Sequence, residues 1–176
     1  MKIFIIVGMP AAGKDIARVY AESRGIPYFA TGDIVRGEIK KQGLTPGPET
    51  MARISDELRG KDGMGVTRCA LSVALTCDKK IVFMEGMRSW PEIEIIRSSA
   101  DTVVIAFVAP RPLRKDRIIA RGRQDDSADF FDSRDLREIE YGASVPIAQA
   151  DAYILNTGTL DDALDMVDAI VANQSA

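Results

Sequence analysis

The most constraining feature of the chain is the segment GMPAAGKD at residues 8–15, which contains the pattern G-x4-G-K. It directly follows the strand-like run KIFIIV and precedes a helix-like stretch. Glycines at these points let backbone N–H groups close around an anion, because side chains would block the approach or the backbone needs a positive φ. The following helix adds free N–H groups and the positive end of its dipole. The segment, called the phosphate loop below, therefore predicts a site for a phosphate chain.

Within the phosphate loop, Lys14 is the expected point charge for the β- and γ-phosphates of a nucleotide. We expect the whole loop to contribute to nucleotide binding: Gly8, Met9, Pro10, Ala11, Ala12, Gly13, Lys14 and Asp15. Asp15 stands where the pattern has Ser or Thr, whose hydroxyl binds Mg²⁺. A carboxylate also ligates Mg²⁺, so we predict that Asp15 is a metal ligand, directly or through water. The alternative is that this residue has inactivated the site.

Short, β-branched apolar runs alternate with amphipathic stretches along the rest of the chain. KIFIIV, KIVFM, DTVVIAFV and DAYIL are typical of buried strands, and IPYF is a weaker strand candidate. The stretches between them predict helices over residues 13–24, 32–42, 48–59, 65–77, 91–98, 112–121, 133–141 and 160–172. This alternation predicts an α/β fold with a parallel sheet and helices on both faces. At 176 residues the chain fits one domain.

Composition narrows the chemistry that such a fold can perform. The chain has no histidine, so any acid–base or phosphoryl chemistry falls to carboxylates, Lys, Arg and backbone amides. The net charge is −3 and there is no polybasic tail, which disfavours a nucleic-acid or membrane-surface partner. No apolar run approaches the ~20 residues that span a bilayer, so we expect a cytoplasmic protein. The oligomeric state stays open.

The segment ATGDIVR at residues 30–36 resembles the TGD-x-x-R segment of adenylate kinases and related nucleoside monophosphate kinases. In that family the segment opens the region that binds the phosphoryl acceptor. The resemblance implies that Thr31, Gly32 and Asp33 border the acceptor. It also implies that Arg36 contacts the acceptor phosphate.

The segment MEGMR at residues 84–88, which follows a predicted strand, is similar to DGFPR of the same family. The resemblance implies that Glu85 orients Mg²⁺-bound water and that Gly86 and Arg88 contact the acceptor. Arg88 is expected on the acceptor phosphate during catalysis. The segment departs from the family by using Glu for Asp and by lacking the proline. A glutamine that helps adenylate kinases recognise adenine has no clear counterpart.

Three further segments look like the lid and the adenine border of these kinases. RIIAR, which holds Arg117 and Arg121, resembles the R-x3-R at the base of the lid, where both arginines serve ATP. RQDD followed by Arg134 resembles R-x-D-D…R, which implies that Arg123 and Arg134 reach over the transferring phosphoryl group. Asn156 and Gly158 stand where backbone borders the ATP adenine in nucleotide kinases and dephospho-CoA kinases.

The resemblance extends from residue 3 to about residue 170 and is similar in form to an archaeal set of adenylate-kinase-related, dephospho-CoA-kinase-like proteins. It implies a three-layer α/β/α P-loop fold with a five-stranded parallel sheet of order 2-3-1-4-5. It also implies an acceptor-binding flap at residues 31–59 and a short lid at residues 121–133.

The implied activity is phosphoryl transfer from ATP, with Mg²⁺, to a small phosphorylated acceptor such as AMP. Two alternatives remain. One is a dephospho-CoA kinase-like activity, with Asp33 as a base for a hydroxyl acceptor. The other is an ATP-binding regulatory protein with weak ATPase activity, which would suit the departure at Asp15.

Overall fold

The computed structural model describes residues 1–121 and 128–175. Its strands are β1 (Lys2–Val7), β2 (Tyr28–Ala30), β3 (Ile81–Glu85), β4 (Asp101–Val108) and β5 (Ala152–Leu155). Its helices are α1 (Asp15–Ser23), α2 (Thr31–Lys41), α3 (Pro48–Arg59), α4 (Gly65–Leu75), α5 (Trp90–Arg97), α6 (Arg111–Arg121), α7 (Ala128–Glu140), α8 (Ser144–Ala148) and α9 (Leu160–Ser175).

The strands form a parallel five-stranded sheet in the order β2-β3-β1-β4-β5. Strand β1 is central, because it pairs with β3 from Lys2 to Ile6 and with β4 from Lys2 to Val7. The sheet confirms the predicted fold class and strand order. Parallel strands connected by helices place their carboxyl ends at one edge, where α/β proteins bind their ligands.

Helices cover both faces of the sheet because both faces of its central strands are apolar. On one face, Phe4 and Ile6 of β1 are fully buried in a cluster that includes residues of α1 and α9. On the other face, Ile3 and Ile5 are fully buried in a cluster that includes residues of α4 and α5. Alternate side chains of this near-continuous apolar run therefore pack into separate cores on the two faces of the sheet.

A third, smaller core lies among α2, α3 and α4. It is built around Val35, Ile39, Ile54 and Val66, all of which are buried. Val35 and Ile39 lie one turn apart on α2, and on α3 the partly buried Met51 and Leu58 lie one turn either side of Ile54, so both helices turn an apolar stripe towards this core. This cluster holds the region predicted as the acceptor flap as a packed unit beside the sheet.

The structure departs from the predicted elements in a few places. Helix α8 was missed, because a five-residue SVPIA stretch containing a proline carries no helical periodicity. Helix α7 begins at Ala128, five residues before the predicted start, inside the segment predicted as a lid. Helix α4 ends at Leu75 rather than at residue 77. Among residues 1–121 and 128–175, no helix is both long and apolar enough to span a membrane.

Candidate functional site

A cavity of about 920 Å³ opens at the carboxyl edge of the sheet. The phosphate loop directly follows β1, and Glu85 ends the neighbouring strand β3. The start of α2 directly follows β2, and Asn156 directly follows β5. Four strand ends therefore contribute to one crevice, whose volume lies in the range typical of ligand sites.

Most of the residues predicted from the sequence line this cavity. They are Pro10, Ala11, Gly13, Lys14, Asp15, Thr31, Gly32, Asp33, Arg36, Glu85, Gly86, Arg88, Arg117, Arg121, Arg134, Asn156 and Gly158. Gly8 lines a smaller adjoining cavity of about 160 Å³. Met9 and Ala12 belong to the loop but line neither cavity, and Ala12 is buried beneath it.

Part of the predicted lid lies outside the described residues. Arg123 is among residues 122–127, which the structure does not describe. The role assigned to Arg123, and the lid at residues 121–133, therefore stay predictions.

The backbone of the phosphate loop has the positive φ angles that its glycines allow. The φ angle is 154° at Gly8 and 104° at Gly13, and Ala11 also has a positive φ of 58°. A Cβ on Gly8 would lie 2.6 Å from the carbonyl oxygen of Phe107 in β4. The first glycine is therefore required by the close approach of the neighbouring strand as well as by the curvature of the loop.

The ammonium group of Lys14 folds back onto its own loop. Its Nζ donates to the carbonyl oxygens of Gly8 at 2.9 Å and Met9 at 3.3 Å. Burial lowers the pKa of Lys14 below its ordinary value, while the negative charges of Glu85, Glu138 and Asp15 oppose that shift. A polyphosphate in the cavity would supply the negative charge that this partly desolvated ammonium lacks.

Arg117 and Asn156, both predicted to face ATP, also hold the backbone of the site. Arg117 Nη2 donates to the carbonyl oxygen of Asn156 at 3.0 Å, and Nη1 donates to that of Ala11 at 3.4 Å. The buried Asn156 amide donates to the carbonyl oxygen of Ala12 at 2.9 Å. A Cβ on Gly13 would lie 1.9 Å from Asn156 Nδ2. The second glycine therefore makes room for Asn156, a long-range packing constraint that no local pattern shows.

The residues predicted to hold Mg²⁺ provide a suitable set of oxygen donors. Asp15 is exposed in the cavity at the first residue of α1. Glu85 is half-buried and accepts a hydrogen bond from the Tyr28 hydroxyl at 3.0 Å. Burial raises the pKa of the Tyr28 phenol, and the nearby Glu85 charge raises it further, so the phenol remains a donor. Magnesium bound with phosphates needs only one or two carboxylates. Asp15 and Glu85 both line the cavity and supply donors of that kind.

Arg36 lies beside a second arginine that the sequence analysis missed. Asp33 accepts hydrogen bonds from Arg36 and from Arg18 Nη2, the latter at 2.9 Å. Arg18 also lies over the Tyr28 ring, 4.4 Å from its centroid. Burial alone would raise the pKa of Asp33, but the two arginines lower it below its ordinary value. Asp33 therefore fixes two cations at the cavity wall.

Arg88 is paired with a carboxylate that no sequence pattern indicated. Its Nε lies 3.1 Å from Glu138 Oε2 of α7, whose side chain is only 12% exposed. The backbone of Arg88 is held separately, because its N–H donates to Glu92 Oε2 at 2.8 Å within the capping box that starts α5. The guanidinium also lies 5.5 Å from the centroid of the Tyr141 ring.

Sequence reasoning missed four charged residues that the fold brings to the site: Arg18, Arg59 and Glu92 in the cavity wall and Glu138 in the adjoining cavity. Arg18 lies one turn after Asp15 on α1, so its place could have been found from helical spacing. No sequence pattern indicated Arg59 or Glu138, because their position at the site depends on how α3 and α7 pack.

Sequence comparison assigns the family. A family model described as an AAA domain matches residues 7–131. A UPF0200 protein of Hyperthermus butylicus is 36% identical over 164 residues, which cover 91% of this chain and 88% of that protein. The chain belongs to the UPF0200 family. The family model spans the phosphate loop and the cavity residues up to Arg121, and it ends before Arg134, Asn156, Gly158 and Leu160.

Solved structures with similar folds are more distant from this UPF0200 chain in sequence. TT1252 from Thermus thermophilus has a TM-score of 0.71 at 16% identity, covering 99% of this chain and 97% of its own. Shikimate kinase from Bacteroides thetaiotaomicron has a TM-score of 0.63 at 14% identity, covering 100% and 99%. At such identities the likeness establishes the fold alone. The UPF0200 chain thus has a P-loop kinase-like fold.

Proposed function

We propose that this UPF0200 protein is an ATP-dependent phosphotransferase that acts on a small phosphorylated acceptor, such as a nucleoside monophosphate. The observation that carries the proposal is the charge distribution of one cavity. It contains the phosphate loop with Lys14, and its wall also contains Arg18, Arg36, Arg59 and Arg88. The same wall contains Arg117, Arg121 and Arg134, which are assigned to ATP and its transferring group. A site for ATP alone has no need of the other four arginines, whereas a second phosphorylated ligand does.

The proposed division of labour follows from the contacts. ATP phosphates would occupy the loop N–H groups and Lys14. Asp15 and Glu85 would hold Mg²⁺, which would neutralise charge on the transferring phosphoryl group. Arg36 and Arg88 would hold the acceptor phosphate, within a flap comprising residues 31–59. Arg121 and Arg134, which also line the cavity, would serve the transferring group.

A phosphate acceptor suits the site better than a hydroxyl acceptor that needs Asp33 as its base. Asp33 is engaged by two arginines, and its pKa is below the ordinary value. A carboxylate with a lowered pKa is a poor proton acceptor. An acceptor phosphate is already anionic and needs positioning and charge neutralisation rather than a base.

Acceptor-dependent release of ADP tests the proposal. AMP, other nucleoside monophosphates, dephospho-CoA and shikimate would be added separately to the protein with ATP and Mg²⁺. We expect ADP release to rise sharply with a nucleoside monophosphate and not with shikimate, which carries no phosphate. A rise with dephospho-CoA alone would instead support the alternative with a hydroxyl acceptor. Slow turnover that no acceptor alters would instead indicate the regulatory ATPase.

We expect Arg36→Ala and Arg88→Ala to impair the use of the acceptor rather than ATP binding. Each arginine must give up an existing ion pair when it binds the acceptor, so the net loss should be about 1 kcal/mol. The acceptor KM should therefore rise roughly fivefold, with ATP affinity unchanged. Arg53→Ala is the matched control, because Arg53 pairs with Glu57 on α3 and does not line the cavity. Equal losses of ATP affinity in both variants would contradict the assignment.

We expect Glu138→Gln to tighten acceptor binding. Glu138 forms an ion pair with Arg88, and its charge lies close to Lys14. Removing a competing carboxylate frees Arg88 and lowers the repulsion of an anionic acceptor, for a gain of about 1 kcal/mol or roughly fivefold in KM. Steady-state kinetics measures the change in acceptor KM. Glu140→Gln, at the exposed end of α7, is the control. A higher acceptor KM in Glu138→Gln would show that Glu138 itself binds the acceptor.

A further inference from the structure

Three successive carbonyl groups of the phosphate loop each accept a hydrogen bond from a side chain on another element. They are Pro10 from Arg114 Nη1 at 3.1 Å, Ala11 from Arg117 Nη1 at 3.4 Å, and Ala12 from Asn156 Nδ2 at 2.9 Å. We call Arg114, Arg117 and Asn156 the carbonyl clamp. Its members come from α6 and from the turn after β5, so the clamp connects the loop to a distant part of the chain.

The carbonyl clamp affects anion binding because it sets the orientation of the peptide groups in the phosphate loop. In a planar trans peptide the C=O and the next residue's N–H point in opposite directions. A carbonyl at Pro10 turned towards Arg114 therefore turns the N–H of Ala11 away from α6. In the same way, the Ala12 carbonyl fixes the N–H of Gly13. Among the residues that the structure describes, no backbone carbonyl accepts from either N–H, which leaves both for a ligand.

The backbone conformation at Ala11 also has to be stabilised by surrounding contacts. Ala11 has φ 58°, the left-handed region that is costly for a residue with a Cβ. Such a conformation persists only when surrounding contacts determine it. The flanking carbonyl contacts from Arg114 and Arg117 provide those contacts.

Arg114 is the most buried member that carries a charge. It is 5% exposed and forms a two-pronged ion pair with Asp135 of α7, which is 3% exposed. Its Nε also donates to the carbonyl oxygen of Ala109 at 3.3 Å. The guanidinium also lies 5.5 Å from the centroid of the Phe131 ring. These contacts fix its orientation, in which Nη1 donates to the Pro10 carbonyl. A buried ion pair contributes little stability over an apolar pair of similar volume, so stability does not account for its presence.

We propose that Arg114 is a positioning residue for nucleotide binding, held by Asp135, which turns the Pro10–Ala11 peptide so that its N–H faces the phosphate chain. It acts through the loop and does not touch the nucleotide. The inference rests on the proposed function only in that the ligand of the phosphate loop is a nucleotide.

The test separates positioning from stability with the double variant Arg114→Met/Asp135→Leu. Replacing both members of a buried pair by apolar side chains retains or raises stability, whereas it removes the donor to Pro10. Arg111, whose Nε also donates to Asp135 at 3.3 Å, is half-exposed and keeps its ion pair with Asp132. We expect an unchanged or higher urea midpoint, an ATP affinity weaker by about tenfold, and an equal loss for inorganic tripolyphosphate. A tenfold loss corresponds to one charge-assisted hydrogen bond of the kind the clamp supplies. The acceptor KM should be unchanged.

Arg24→Met/Asp168→Leu is the control for replacing an Arg–Asp pair as such: this pair lies at 2.7 Å, it is half-exposed rather than buried, and neither residue lines the cavity. Arg114→Lys provides a second test should the double variant fail to fold. A lysine can satisfy Asp135 but cannot also reach both carbonyls, so we expect a several-fold loss of ATP affinity. Wild-type affinity for ATP in either folded variant would overturn the inference. A wild-type protein that binds no ATP would instead overturn the proposed function.

Discussion

Lys14→Ala should weaken ATP binding by roughly tenfold to a hundredfold, because it removes a charge-assisted contact worth about 1.5–3 kcal/mol. The Lys14 ammonium donates to the carbonyls of Gly8 and Met9. Burial has already lowered its pKa, so the ammonium has lost part of its hydration before ATP arrives. Phosphate oxygens are stronger acceptors than those carbonyls, and the exchange favours the bound state. Titration calorimetry measures the loss.

The control for this prediction is Lys115→Ala. Lys115 lies on α6, where it pairs with Asp132 at 3.0 Å and does not line the cavity. We expect its ATP affinity to match that of the wild type.

The lowered pKa of Lys14 predicts that ATP affinity depends on pH. ATP favours the charged lysine, so wild-type affinity should fall as pH rises towards the alkaline range, and Lys14→Ala should lose that dependence. Unchanged ATP affinity in a folded Lys14→Ala variant would exclude the phosphate loop as the nucleotide site.

Asp15→Ser should bind ATP much better than the wild type when EDTA removes Mg²⁺, and no better when Mg²⁺ is in excess. Without the metal, the Asp15 carboxylate would face the phosphate chain. Two like charges 4 Å apart repel by about 1 kcal/mol in water and about 4 kcal/mol at an effective dielectric constant of 20. Asp15 is exposed, so the gain in EDTA should lie between these limits and be at least about fivefold.

The two interpretations of Asp15 differ in the titrations with Mg²⁺. If Asp15 is a metal ligand, serine merely exchanges one ligand for another, and affinity in Mg²⁺ changes little. If Asp15 has inactivated the site, serine restores a lost ligand, and both ATP binding and turnover should improve in Mg²⁺. Asp116→Ser on α6 is the control for removing one carboxylate from the chain, since Asp116 does not line the cavity. A wild-type protein that binds ATP equally well in Mg²⁺ and in EDTA would refute the metal-ligand interpretation.

The elements that the sequence predicted well are those with a strong local signal. The run KIFIIV became the central strand β1, and the helix predicted over residues 48–59 has those bounds. The strand order came from a resemblance to a known fold and is confirmed. Helix α8 shows the limit of such reasoning, because five residues hold too little periodicity to predict a helix.

The candidate site divides in the same way. The sequence by itself determined the phosphate loop, since the glycines and Lys14 act through local backbone geometry. It also indicated the arginines whose segments resemble nucleotide kinases. The roles of these residues stay predictions, although the fold brings most of them to one cavity.

Only the tertiary structure decided which charges meet. Arg88 pairs with Glu138, 50 residues further along the chain, and Arg114 reaches the Pro10 carbonyl across a separation of 104 residues. Such pairings depend on the strand order of the sheet and on how α6 and α7 pack. Neither feature produces a periodic or local pattern in the sequence. A charged side chain looks the same in sequence whether it is solvated or buried, because its partner comes from elsewhere in the chain. Local geometry therefore determined where a phosphate chain is predicted to bind, and long-range packing decided which charged side chains surround that place.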